Sequence, residues 1–134
     1  AVWHVNAHSM KALGRKSGQS IPRDDFVLGD LEGESCDAAF TGFVAETLRG
    51  FGYTVRLNHP FKGAELVTRF GRPHDGRHSL QIEINRGLYM DEDRIEKTDG
   101  FDALKRNIDR LLAAVAGFTA EQVQAALPEV REGE

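Results

Sequence analysis

Ser79-Leu80-Gln81-Ile82-Glu83-Ile84-Asn85-Arg86 is the run whose reading decides the fold class. Leu80, Ile82 and Ile84 alternate with Gln81, Glu83 and Asn85, the period of a strand with one apolar and one polar face. Central strands of an α/β sheet are covered on both sides and read as continuous apolar runs. Three polar side chains on one face therefore mark either an edge strand facing water or a face that lines a site. A second strand-like run, Trp3-His4-Val5-Asn6-Ala7-His8-Ser9-Met10, ends in a histidine region. A strand-end imidazole with a strand-borne carboxylate suggests metal-assisted hydrolysis, the first as ligand and the second as base.

Working outward, residues 1–6 read as a short buried strand. Residues 11–35, rich in Gly, Ser, Asp, Lys and Arg, read as a long loop with at most a brief strand at Phe26-Val27-Leu28. Asp37 is an expected N-cap for a helix over 38–50, with Phe40, Phe43, Val44 and Leu48 at helical spacing and Gly50 and Gly52 as stops. A strand over 53–58 follows, then a loop over 59–78 enclosing a short helix or strand near Ala64–Phe70. The strand at 79–85 precedes a helix over 100–117, and Thr119 with Gln122 predicts the capping box of a last short helix ended by Pro128. Strands alternating with helices predict an α/β domain with a mainly parallel sheet. Ligands bind such sheets beyond the carboxyl ends of the strands. His8, Asn58, Glu83 and Arg86 all fall at or just past predicted strand ends.

Composition narrows the function classes. The 134 residues fit one domain. A net charge of −4 and the lack of a basic run give no electrostatic case for nucleic acid. No apolar stretch of membrane-spanning length and no secretory leader is visible. Cys36 is the sole cysteine and cannot form an internal disulfide, which agrees with a reducing cytoplasm. The chain opens with Ala1-Val2-Trp3 inside a strand-like run, so it is expected to be a piece of something longer.

Among candidate chemistries, His4 and His8 have the i, i+4 spacing of a helical zinc pair. On a strand that spacing spans about 13 Å, too far to share one ion. His8 is the plausible ligand, and His4 reads as packed or solvent-facing. His74 and His78 flank Asp75-Gly76-Arg77 and read as a solvated loop rather than a metal clip. Neither HxxE, HExxH nor CxxC occurs, and one histidine does not make a zinc site. Arg23, Arg69 and Arg86 are candidates for fork-like binding of a carboxylate. The Asn58 amide would orient a ligand or cap the turn before His59-Pro60. Cys36 lacks a histidine at readable spacing, which argues against nucleophilic catalysis. Ser9 and His8, as strand neighbours, point to opposite faces and do not form a hydrolase pair.

Four blocks occur in order: Asn6-Ala7-His8-Ser9-Met10, Arg23-Asp24-Asp25-Phe26-Val27-Leu28-Gly29-Asp30, Asn58-His59-Pro60-Phe61-Lys62-Gly63 and Gln81-Ile82-Glu83-Ile84-Asn85-Arg86-Gly87-Leu88-Tyr89-Met90. Together they closely resemble the C-terminal half of the N-formylglutamate amidohydrolase family, up to about Glu92. The resemblance implies a fold related to zinc carboxypeptidases and aspartoacylase-like deacylases, with a mixed sheet flanked by helices. Residues 1–134 would then be the C-terminal part of a single amidohydrolase domain. It implies His8 as the third zinc ligand and Glu83 as the glutamate that activates the attacking water. The implied reaction is hydrolysis of N-formyl-L-glutamate to formate and L-glutamate, late in histidine degradation. Arg23, Asn58, Arg69 and Arg86 become candidates for holding the substrate carboxylates or polarising its carbonyl.

The implied cofactor is Zn²⁺ in a full-length parent. The first two ligands of the family lie in an N-terminal half that this chain lacks, so the piece alone is expected to be inactive and to hold no tightly bound zinc. Asn6 stands where the family commonly has Asp, Phe61 where Tyr is usual, and Ala64 where a second Gly is common. The implied partner is a small-molecule N-acyl amino acid in the cytoplasm, not nucleic acid or a membrane. Self-association through an exposed strand, or pairing with the missing N-terminal half, is the expected protein contact. The rival readings are a related deacylase for another N-acyl amino acid and a non-catalytic binding domain of the same fold.

Overall fold

The computed structural model describes residues 1–129 and 133. In chain order its elements are β1 (Val2–Met10), β2 (Leu13–Lys16), β3 (Gln19–Pro22), β4 (Phe26–Gly29), α1 (Ala38–Gly50), β5 (Val55–Leu57), α2 (Glu65–Phe70), β6 (Arg77–Asn85), β7 (Met90–Asp91), β8 (Glu96–Lys97) and α3 (Gly100–Ala126). The main sheet has the order β1-β6-β4-β5. β6 therefore lies inside the sheet, and Gln81, Glu83 and Asn85 are buried. The water-facing edge-strand alternative for this run falls on that observation.

The sheet is mixed, with two parallel pairings and one antiparallel. β1 runs parallel to β6, β4 antiparallel to β6, and β5 parallel to β4. Local sequence pattern carries no strand direction, and here the direction matters. The carboxyl end of β5 points away from the carboxyl ends of β1 and β6, so predicted strand ends do not converge on one rim.

On one face Phe26, Leu28, Leu80 and Ile82 pack with Phe40, Val44 and Leu48 of α1 and Leu104 and Leu111 of α3. Asp37 caps α1, its carboxylate accepting from the Phe40 N–H at 3.0 Å. Gly117 and Thr119 do not break the last helix as the sequence suggests. Phe118 stacks on Phe43 at 4.6 Å and meets Phe40 at 5.9 Å. That packing carries α3 through the weak stretch, and the Thr119 hydroxyl donates back to the Ala116 carbonyl instead of capping. The helix ends at Ala126, and Leu127 before Pro128 is extended.

The expected loop over 11–35 contains a hairpin. β2 and β3 pair antiparallel around Ser17 and Gly18, both at positive φ (52° and 78°), the backbone of a tight two-residue turn. Without β-branched alternation its strands leave little trace in the sequence. β1 also differs from the short buried strand expected for residues 1–6. It runs to Met10 as a half-exposed edge strand, and among the described residues nothing pairs with its outer side.

Candidate functional site

Register assembles the polar face. Asn6 lies opposite Gln81, and His8 opposite Glu83, across β1 and β6. His8 and Glu83 thus sit side by side two residues before their strands end. The His8 Nδ1 is 3.4 Å from Glu83 Oε1. The Asn6 amide nitrogen stands 2.9 Å from His8 Nε2. Gln81 donates to Glu83 Oε1 at 3.0 Å, while its own carbonyl accepts from the Ala64 N–H. Gly29 lets that loop come close, since a Cβ there would sit 2.6 Å from the Lys62 carbonyl carbon.

Glu83 is 5% exposed and its Oε2 has no hydrogen-bond partner among the described residues. Burial pushes its carboxyl above the usual carboxylate range; the charges of His8, Arg23 and Arg86 and the Gln81 hydrogen bond oppose that rise. A buried acceptor left free, beside an imidazole, is a donor set suited to a metal-assisted proton transfer. His8 fits the ligand part. Turning the Asn6 amide over lets its oxygen accept from an Nε2–H, leaving the Nδ1 lone pair on the side facing Glu83. An Asn thus orients the ring as a carboxylate would, with less added basicity.

The remaining sequence candidates divide. Arg23 follows β3 and reaches this face because β4 runs antiparallel, which brings its start level with the end of β6. Asn85 donates to the Arg23 and Asp24 carbonyls, both at 3.2 Å, and so holds this segment. Arg86 borders the pair, with its guanidinium on the Ser9 hydroxyl at 3.0 Å and near Glu92 at 3.5 Å. Asn58 lies past β5 with a positive φ of 59°. Its amide is engaged internally, accepting from the Asp30 and Glu32 N–H groups and donating to the Asp30 carboxylate. Arg69, on α2, lines a groove with Val2, His4, Phe70, Arg72 and Arg77. That groove is at the opposite end of β1 from His8. Gln81, Asn6 and Asn85 were not named as site residues from sequence, although the alternation that singled out Glu83 includes two of them.

His78 is no solvated loop residue. It lies buried on β6, stacked on Trp3 at 5.5 Å, with its Nδ1 accepting from the Asp37 N–H. Its neighbour in space is Cys36, a pairing that sequence spacing concealed. Cys36, Asp37 and His78 form the one cluster of three ligand-type groups among the described residues. Burial pushes the Cys36 thiol up to about 12, so it is neither nucleophile nor ready thiolate ligand. His4 is packed, its Nδ1 on the Ser79 hydroxyl at 2.8 Å. Among the described residues no helix is long and apolar enough to cross a membrane.

Comparison with known proteins adds an independent line. The model of the family described as N-formylglutamate amidohydrolase matches residues 1–90. The chain is 32% identical over 101 residues to an N-formylglutamate deformylase of Pseudomonas aeruginosa, covering 73% of this chain and 38% of that protein. With an N-formylglutamate deformylase of Pseudomonas putida it shares 32% identity over 107 residues, 75% of this chain and 39% of the relative. The crystal structure of an N-formylglutamate amidohydrolase from Ralstonia eutropha JMP134 superposes with a TM-score of 0.77 at 39% identity, over 95% of this chain and 45% of that one. The chain thus spans less than half the length of these relatives.

Proposed function

The chain belongs to the N-formylglutamate amidohydrolase family, and on that premise we propose that it contributes the proton-transfer side of a zinc-assisted site that hydrolyses N-formyl-L-glutamate to formate and L-glutamate. The observation that carries this reading is the side-by-side pairing of His8 and Glu83, with Glu83 buried and one oxygen free. His8 would be one ligand of the ion. The other protein ligands, which a catalytic zinc needs to make up three, would come from outside residues 1–134. Bound zinc supplies Lewis acidity, polarising the formyl carbonyl and making water easier to deprotonate.

Glu83 takes a proton from the attacking water as the new C–O bond forms. It then returns that proton to the amine nitrogen as the C–N bond breaks, giving formate and the free amino group. Its raised affinity for protons makes it the stronger base. Gln81 fixes the carboxylate plane through Oε1, leaving Oε2 toward the reacting atoms. Arg23 and Arg86 offer positive charge beside the pair, for substrate carboxylates or the developing negative charge on the carbonyl oxygen. Asn58 serves by holding the loop over 58–63, and Arg69 stands too far along β1 to share this role. The test is formate release from N-formyl-L-glutamate by the full-length protein. Chelation is expected to abolish it and stoichiometric zinc to restore it; undiminished turnover in metal-free protein would reject the zinc part.

A further inference from the structure

We infer that the basic cleft between the β2–β3 hairpin and the His59–Pro60 turn is the subsite for the side-chain carboxylate of the substrate, with Arg23 as the wall it shares with the Glu83 site. This rests on the reading of the site as a deformylase of N-formyl amino acids.

The cleft encloses about 450 Å³ and takes Arg15, Lys16, Arg23, Arg56 and His59 into its lining. In a chain of net charge −4 its three arginines and one lysine are a local excess of positive charge. Its one acidic lining residue, Asp24, is already paired with Arg56 at 3.2 Å. Among the described residues neither Arg15, Lys16 nor Arg23 has a carboxylate partner within 4.0 Å. Such a pocket favours an anion, and the arginine forks favour a carboxylate held in plane.

Its position follows from register. Glu83 lies opposite Val27, and Val27 opposite Arg56, so His8, Glu83, Val27 and Arg56 form one row across the sheet. Arg56 is thus two strands from Glu83, about 10 Å. Arg23 stands between them, lining the cleft and placing its charge on Glu83. A glutamyl side chain with an arginine reaching toward it spans that interval.

Gly14 is the positioning residue. It is the buried member of β2, and a Cβ there would meet Arg23 Nε at 2.8 Å. On the other side the Phe61 ring centre is 4.9 Å from the guanidinium carbon. Stacking on a ring leaves the in-plane N–H donors free for a carboxylate. Gly14→Ala therefore displaces a flexible side chain, not backbone, and the fold is expected to tolerate it.

The experiment compares N-formyl-L-glutamate with N-formyl-L-glutamine, its neutral counterpart, on wild type and Gly14→Ala in the full-length protein. Calorimetric titration with L-glutamate and L-glutamine runs alongside. We expect the variant to lose at least about tenfold in kcat/KM for the acidic substrate, mainly through KM, and clearly less for the neutral one. In binding, the preference of the wild type for glutamate should shrink by a similar factor. Should Gly14→Ala fail to fold, the Arg15→Gln, Lys16→Gln double variant on the outer wall carries the same expectation. Equal losses on both substrates, or an unchanged preference, overturn the subsite. A wild type that hydrolyses neither substrate rejects the deformylase reading instead, and the binding preference still decides the cleft.

Discussion

Leu80, Ile82 and Ile84 of β6 face α1 and α3, whereas Gln81, Glu83 and Asn85 face the other way, Gln81 toward Ala64 and Asn85 toward Arg23 and Asp24, and only one backbone step separates the two sets. Both faces are covered, so burial does not distinguish them. Partners do. The apolar face closes by shape against aromatic and aliphatic side chains. On the polar face nearly every group is tied by a specific bond: Gln81 to Ala64 and Glu83, Asn85 to Arg23 and Asp24. Glu83 Oε2 is the exception. A buried polar group without a partner costs about 1–3 kcal/mol, so its retention points to chemistry rather than to stability. The same strand thus serves as scaffold on one face and, in the function proposed, as site on the other.

The contrast is sharpened first on the apolar face. Leu80 is fully buried, and Leu80→Ala is expected to cost about 2–5 kcal/mol of stability in denaturant unfolding. The kcat of protein that remains folded should hold. A loss of kcat without loss of stability would blur the division between faces. Asn85→Ala probes the place where the polar face also carries structure. It frees the Arg23 and Asp24 carbonyls and the Gly87 N–H. Destabilisation of about 1–3 kcal/mol is expected, together with a raised KM as the Arg23 segment loosens.

The smallest effect concerns two acidic groups that burial pushes in the same direction on opposite faces. For Cys36 the consequence is confined to stability. Its pKa rises from 9.0 to about 12 in the folded chain, so the native state keeps a proton that the unfolded chain releases. Stability should fall as pH rises above about 9, by at most about 1.4 kcal/mol per unit. Cys36→Ala should remove that slope in alkaline unfolding curves, and a wild type with no such slope would show the thiol to be less enclosed.

The alternation of β6 made the two faces legible in the sequence, and Asp37 marked the start of α1 where the structure has it. What escaped was non-local. Strand direction is absent from local pattern, and the reversal of β4 and β5 brings Arg23 to the site while leaving Asn58 lower on the sheet. Ser17-Gly18 was a hairpin turn hidden among polar residues. Gly117 and Thr119 read as breaks because their packing partner, Phe118 against α1, lies far away in sequence. Cys36 and His78 are distant in the chain and adjacent in space. His8 and Glu83 could be singled out individually, but only register shows them as neighbours.

Whether Glu83 belongs to the chemistry or to the scaffold is decided by Glu83→Gln in the full-length protein, followed by steady-state kinetics, zinc content and thermal unfolding together. Glutamine keeps the shape and the bond to Gln81 within reach but cannot accept the proton. The expected result is a fall in kcat of at least about a hundredfold, with zinc content and melting temperature little changed. Full activity with zinc bound would remove Glu83 from the mechanism, and loss of the metal would make it a ligand instead of the base.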